Sequence, residues 1–120
     1  MNANHPSNGA VNIGNVISLS STNTNSTSGT SASVSTVKPI DLTRFSKLFV
    51  TGKTTSTAMT IIISKTRSGY TDSGMHAASI DITSTTETTV ELPIDYEGEY
   101  YISALVMRGR AGEISKVWLE

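Results

Sequence analysis

Residues Glu99 to Met107, reading Glu-Tyr-Tyr-Ile-Ser-Ala-Leu-Val-Met, are the longest stretch rich in aromatic, aliphatic and β-branched side chains. They constrain the fold more than any other segment, because such a run reads as a strand. Pro93, Asp95 and Gly98 punctuate the chain before it. Arg108-Gly109-Arg110-Ala111-Gly112 reads as a turn into a last strand, Ile114 to Leu119. Apolar side chains fall on both faces of Tyr100 to Met107. That pattern predicts a strand in the middle of a sheet with protein on each side.

The rest of the chain repeats this theme in short units. Val11 to Leu19 alternates well enough for a first strand, with Gly14 an irregular point. Ser20 to Ser33 is almost wholly Ser, Thr, Asn and Gly, a composition that suits either a linker or a long polar loop. The loop is preferred, since the strand before it would have no core of its own and alternation resumes over Ala32 to Val37. Pro39 sets an extended entry to Ile40-Asp41-Leu42-Thr43-Arg44-Phe45, where Asp41 is placed to accept hydrogen bonds from the amides that follow. Ser46 to Thr51 reads as a strand with Leu48 and Val50 inward, closed by Gly52 and a polar turn from Lys53 to Ser56. Thr57 to Thr66 reads as its hairpin partner, with Met59, Ile61 and Ile63 on one face. Arg67 to Ala78 is read as a long loop, Ser79 to Thr83 as a strand, and Thr88 to Leu92 as the strand leading back to Glu99. The expectation is an all-β, jelly-roll-like antiparallel β-sandwich of about eight strands. Residues 11–120 would form a single domain, preceded by a polar arm, Met1 to Ala10, that is ordered only when something holds it.

Composition supports this and excludes several functions. About three in ten residues are Ser or Thr, which favour strands and turns over helices. A net charge of −1 without a Lys/Arg cluster argues against nucleic acid or an anionic membrane as partner. With no cysteine there are neither disulfides nor thiolate metal sites. The longest apolar runs fall far short of the roughly 20 residues a membrane helix needs, so the chain is read as soluble. Met1 to Ala10 shows neither the basic nor the apolar region of a signal peptide.

Three pieces in order carry a resemblance: Ile40-Asp41-Leu42-Thr43-Arg44-Phe45-Ser46-Lys47-Leu48-Phe49-Val50, Glu97-Gly98-Glu99-Tyr100-Tyr101-Ile102, and Ile114-Ser115-Lys116-Val117-Trp118-Leu119-Glu120. Over roughly residues 37–120 the chain resembles the jelly-roll modules, similar to carbohydrate-binding modules, of minor structural and tail-associated proteins of phages and prophages. The motifs are chiefly structural. The resemblance implies a non-enzymatic virion structural or attachment component, made in the bacterial cytoplasm and carried on the particle. Its implied partners are other virion proteins, met through the N-terminal arm. The competing reading is a stand-alone carbohydrate-binding module that recognises a cell-surface glycan.

Side-chain chemistry adds little catalysis. Asp72, Ser73 and His76 include the residue types of a hydrolase triad but crowd one loop, where base, nucleophile and orienting group cannot easily line up. His5 and His76 lack ligand spacing, and Asp95, Glu97 and Glu99 match no calcium loop, so neither a metal nor a cofactor is expected. Arg67, Tyr70, His76 and Tyr96 are the side chains best suited to a glycan, through stacking and charge-assisted hydrogen bonds. The alternative for Tyr70 is an anchor for its own loop. If Val117 and Leu119 face inward, Trp118 points outward beside Lys116. A contact in a homo-oligomer is preferred for that pair, with sugar stacking second and burial in the core third.

Overall fold

The computed structural model describes residues 16–20, 32–55, 58–65, 76–95, 97–107 and 110–120, and only the backbone of Ser20, Ala32, His76 and Ala77. These residues form nine strands and no helix: β1 (Ile17–Ser20), β2 (Ala32–Ser35), β3 (Ile40–Asp41), β4 (Lys47–Thr54), β5 (Met59–Ser64), β6 (His76–Ile82), β7 (Thr88–Pro93), β8 (Glu99–Val106) and β9 (Ala111–Leu119). The polar arm, the segment 11–15 of the expected first strand and most of the Ser/Thr/Asn-rich loop lie outside the described residues. Its two ends belong to strands, Ser20 closing β1 and Ala32 and Ser33 opening β2.

One sheet has the order β1-β9-β4-β7 and the other β2-β8-β5-β6, with β3 also paired to β8. Every pairing is antiparallel. β2 and β3 follow one another along the same edge of β8, opposite Ser103–Val106 and Glu99–Tyr100. Between them Thr36 keeps the pairing, its amide donating to the Ile102 carbonyl at 3.0 Å and its Oγ1 accepting from the Ile102 amide at 3.2 Å. With β2 and β3 taken as one interrupted strand, β5 to β6 is the single connection between sequential strands that pair. The others cross between the sheets, which is the jelly-roll arrangement.

The expected hairpin of the fourth and fifth strands is therefore wrong. β4 pairs with β7 and β9, and β5 with β6 and β8. Alternation predicted the inner faces correctly, but two apolar faces can meet side by side or across a core. Here Leu48 and Val50 of β4 oppose Met59, Ile61 and Ile63 of β5 across the core, all of them 0–1% exposed. β8 lies within its sheet as expected, and Ile102 to Val106 are buried on both faces, Ser103 and Leu105 included. Each large aliphatic side chain so buried contributes about 1.5–3 kcal/mol of transfer free energy.

Three strand ends differ from the sequence reading. Gly52 does not close β4 but lies inside it, where the β4–β9 register shifts between Thr51 and Gly52. A Cβ at Gly52 would collide with the carbonyl oxygen of Glu113, so glycine marks a close approach of two backbones, not a turn. The extra residue opposite this point is Ser115, whose hydroxyl donates to Glu87 Oε2 at 2.7 Å and lies 3.3 Å from the Thr51 carbonyl. β6 begins at His76, so the loop assigned to Arg67–Ala78 ends earlier. β9 begins at Ala111, two residues into the expected turn, because Thr55 donates to the Ala111 carbonyl at 2.9 Å and Gly112 pairs with Thr54.

Candidate functional site

Asp41 sets up one end of the sandwich. Its Oδ1 accepts from the Thr43 amide at 3.0 Å, and the Phe45 amide donates to the Leu42 carbonyl at 3.0 Å, giving the single turn that the sequence predicts. Leu42, fully buried, pins this turn to the core. The turn is also stapled to the β7–β8 connection: the Leu42 amide donates to the Gly98 carbonyl at 2.9 Å, and the Gly98 amide to Thr43 Oγ1 at 3.0 Å. Gly98 has φ of 105°, a backbone state in which a side chain is strained. The Thr43 hydroxyl and amide, with a smaller contribution from Arg44, hold the exposed Asp41 carboxyl below its ordinary value of 3.8.

The β5–β6 connection departs from the same end. Lys65, the first residue after β5, places its ammonium 4.2 Å from the Tyr100 ring centroid and 3.4 Å from the Glu99 carbonyl oxygen. Asp41, Thr43, Glu97 and Glu99, all exposed, lie on or next to β3 and β8 at this end, where Asp41 pairs with Glu99. The end thus offers a cation seated on an aromatic ring, anchored hydroxyl and carboxylate groups, and β3–β4 and β7–β8 connections stapled to each other. Such a set offers both donors and acceptors to a ligand rich in hydroxyls, with the Lys65 ammonium covering one face of the Tyr100 ring.

Of the residues expected to bind a glycan, Arg67, Tyr70 and Tyr96 lie outside the described residues. His76 is described by its backbone as the first residue of β6. The described residues that flank these positions, Lys65 and His76 on one side and Asp95 and Glu97 on the other, lead to this end. Sequence reasoning missed Lys65 and Tyr100, whose contact joins residues 35 positions apart through the β5–β8 pairing Ser64↔Tyr101. Asp72 and Ser73 of the triad weighed above also lie outside the described residues. Among the described residues no group of three or more His, Cys, Asp or Glu side chains is placed to hold a metal ion.

A second feature occupies the outer face of the β1-β9-β4-β7 sheet. Val117 and Leu119 are buried, so Trp118 and Lys116 point outward. Trp118 pairs across strands with Phe49, and the two rings stack with centroids 5.0 Å apart and planes at 8°. Phe49 thereby takes one face of the indole. Trp118 Nε1 donates to Glu120 Oε2 at 2.9 Å, and the Lys116 ammonium lies 5.0 Å from the ring centroid. Phe49 was legible in the sequence, because placing Leu48 and Val50 inward turns it outward.

Between the sheets, where β1 and β2 form neighbouring edges, a cavity of ≈ 240 Å³ is lined chiefly by apolar side chains, among them Ile17, Val34, Ile61, Ile114 and Val117. None of its described lining residues is charged, and its polar lining comes from Ser35, Thr36 and Ser103.

No family model matches the sequence, and no curated protein matches it. Solved structures do. The carbohydrate-binding module CsCBM6-3 from Clostridium stercorarium, in complex with cellobiose, superposes with a TM-score of 0.52 at 19% identity, covering 89% of this chain and 82% of that one. A family 6 carbohydrate-binding module whose binding sub-sites were dissected gives a TM-score of 0.52 at 18% identity, covering 91% of this chain and 84% of that one. At such identities the likeness is one of fold, and the fold is the jelly-roll sandwich found in carbohydrate-binding modules.

Proposed function

We propose that this protein is a non-catalytic carbohydrate-binding module and that its glycan site is the end of the sandwich built by the β3–β4, β5–β6 and β7–β8 connections. The observation that carries the reading is the convergence there of the Lys65–Tyr100 pair with the flanks of Arg67, Tyr70, His76 and Tyr96. Hydrogen bonds among Leu42, Thr43 and Gly98 fix this end before any ligand arrives, so binding need not pay for ordering those groups. The likeness of fold to two carbohydrate-binding modules, one of them solved with cellobiose, supports the same reading.

This reverses the order of the two functions weighed from the sequence. Nothing in the fold or in these likenesses points to a phage particle, whereas both favour the glycan. The two remain compatible, since an attachment component can hold a surface through sugars. A glycan array probed with the labelled protein tests the reading. Binding to a defined set of oligosaccharides is the expected result, and a blank array at micromolar protein contradicts it.

A further inference from the structure

The outer faces of β4 and β9 carry a matched pattern. Down β4 the outward residues are Lys47, Phe49, Thr51 and Lys53, and down β9, in register beside them, Glu120, Trp118, Lys116 and Glu113. At both ends of this double row a lysine of β4 stands beside a glutamate of β9, with the aromatic pair between them. A two-fold axis running along the strands midway between β4 and β9 sets each row against the other row of a second copy. Lys47 then faces Glu120 of the partner subunit, Phe49 faces Trp118 of the partner subunit, and Lys53 faces Glu113 of the partner subunit, with the reciprocal contacts repeated. Such self-complementarity is the condition for an isologous interface.

From this we propose that the outer face of the β1-β9-β4-β7 sheet is a docking surface for a second copy of the same chain. The intrachain pairs Lys47–Glu91, at 3.2 Å, and Lys53–Glu113, at 3.8 Å, leave their side chains about half exposed. Exposed pairs of this kind contribute little alone. Across the two-fold they join into larger alternating clusters around a desolvated aromatic centre, the arrangement that gives an interface both anchor and register. Twisted sheets stack face to face with their strands at about 30°, so the contact is tightest at the Phe49–Trp118 row.

The direction of the axis has a consequence for binding. Rotation about a line parallel to the strands leaves the two copies pointing the same way, so both ends carrying Asp41, Lys65 and Tyr100 face one side. Resting on the glycan-binding reading, the dimer is a bivalent module that engages a dense glycan surface with both sites at once. Linking two sites in this way multiplies apparent affinity by about 100-fold or more.

Sedimentation equilibrium tests the surface without any glycan. The wild type is expected at the dimer mass. The variant Lys47→Glu/Lys53→Glu, whose two rows are both acidic there, and the variant Glu113→Lys/Glu120→Lys, whose two rows are both basic, are each expected at the monomer mass. An equimolar mixture of the two should recover the dimer mass. Circular dichroism establishes that each variant is folded. Should either fail to fold, Trp118→Ala replaces the pair and is expected to shift the wild-type mass towards monomer. A monomeric wild type at 100-fold dilution from about millimolar stock, or variants that dimerise separately, overturns the proposal. On a dense glycan surface the monomeric variants should dissociate about 100-fold faster than wild type while binding soluble oligosaccharide unchanged. If no glycan binds, the sedimentation result still decides the dimer.

Discussion

Replacing Gly52 by alanine adds one methyl group at the point where β4 and β9 come closest. The new Cβ would collide with the Glu113 carbonyl oxygen and stand 3.4 Å from both the Glu113 carbonyl carbon and the Ile114 Cα. All three atoms are backbone, so no side-chain rotation relieves the clash and β9 itself must shift. Its shift loosens the pairings Gly52↔Ile114, Lys53↔Glu113 and Thr54↔Gly112. Overpacking costs about 1–3 kcal/mol, and each weakened backbone hydrogen bond adds up to about 1 kcal/mol. Reduced freedom of the unfolded chain returns about 0.4–1 kcal/mol. The balance is a loss of about 2–3 kcal/mol, a fall of roughly 10 °C in melting temperature for a domain of this size. Urea unfolding followed by circular dichroism measures it, with the slope unchanged. If Gly52→Ala is as stable as wild type, the bulge at Ser115 and the close approach that explains this glycine are wrong.

Two further tests probe the core and the turn. Ile63→Ala empties a fully buried position between the sheets, and denaturant unfolding should show a loss of about 2–5 kcal/mol. A loss below about 1 kcal/mol would mean that Ile63 does not face the core. Asp41 has a depressed folded pKa, so its contribution to stability is present above 3.8 and is lost as the pH falls through the lower folded value. Carboxyl chemical shifts should show Asp41 titrating below the ordinary range, and Thr43→Val should raise its midpoint by removing the hydroxyl. A midpoint insensitive to Thr43→Val would refute the part assigned to the hydroxyl, and an Asp41 midpoint at or above the ordinary value would refute the turn.

What the sequence revealed and what it hid follow from the range of each interaction. Inner faces were legible in β4, β5 and β9, because period-two alternation is a local property that Leu48, Ile61 and Val117 each display, and the apolar run through Ile102 marked β8 as covered on both faces. The Asp41 turn was legible too, since its hydrogen bond spans two residues. Partnership of strands was not. β4 and β5 look like a hairpin until the core places their apolar faces opposite each other. The role of Gly52 was hidden for the same reason, as it depends on the Glu113 carbonyl 61 positions away. Trp118 was legible as an outward side chain, but its stacking on Phe49 required the register of two strands far apart in sequence. At the candidate glycan site, sequence chemistry picked Arg67, Tyr70, His76 and Tyr96, while Lys65 and Tyr100 became visible only once β5 lay beside β8.

Isothermal titration of soluble oligosaccharides, cellobiose among them, into wild type and into Tyr70→Ala, Tyr96→Ala and Lys65→Ala bears most directly on glycan recognition at this end of the sandwich. At least one sugar should bind the wild type, and each aromatic replacement should weaken it by about 1–2 kcal/mol or more, roughly 10-fold. All variants should keep the wild-type sheet spectrum. Absence of binding by every sugar, or binding that all three replacements leave unchanged, would contradict a carbohydrate-binding module with its site at the β3–β4, β5–β6 and β7–β8 connections.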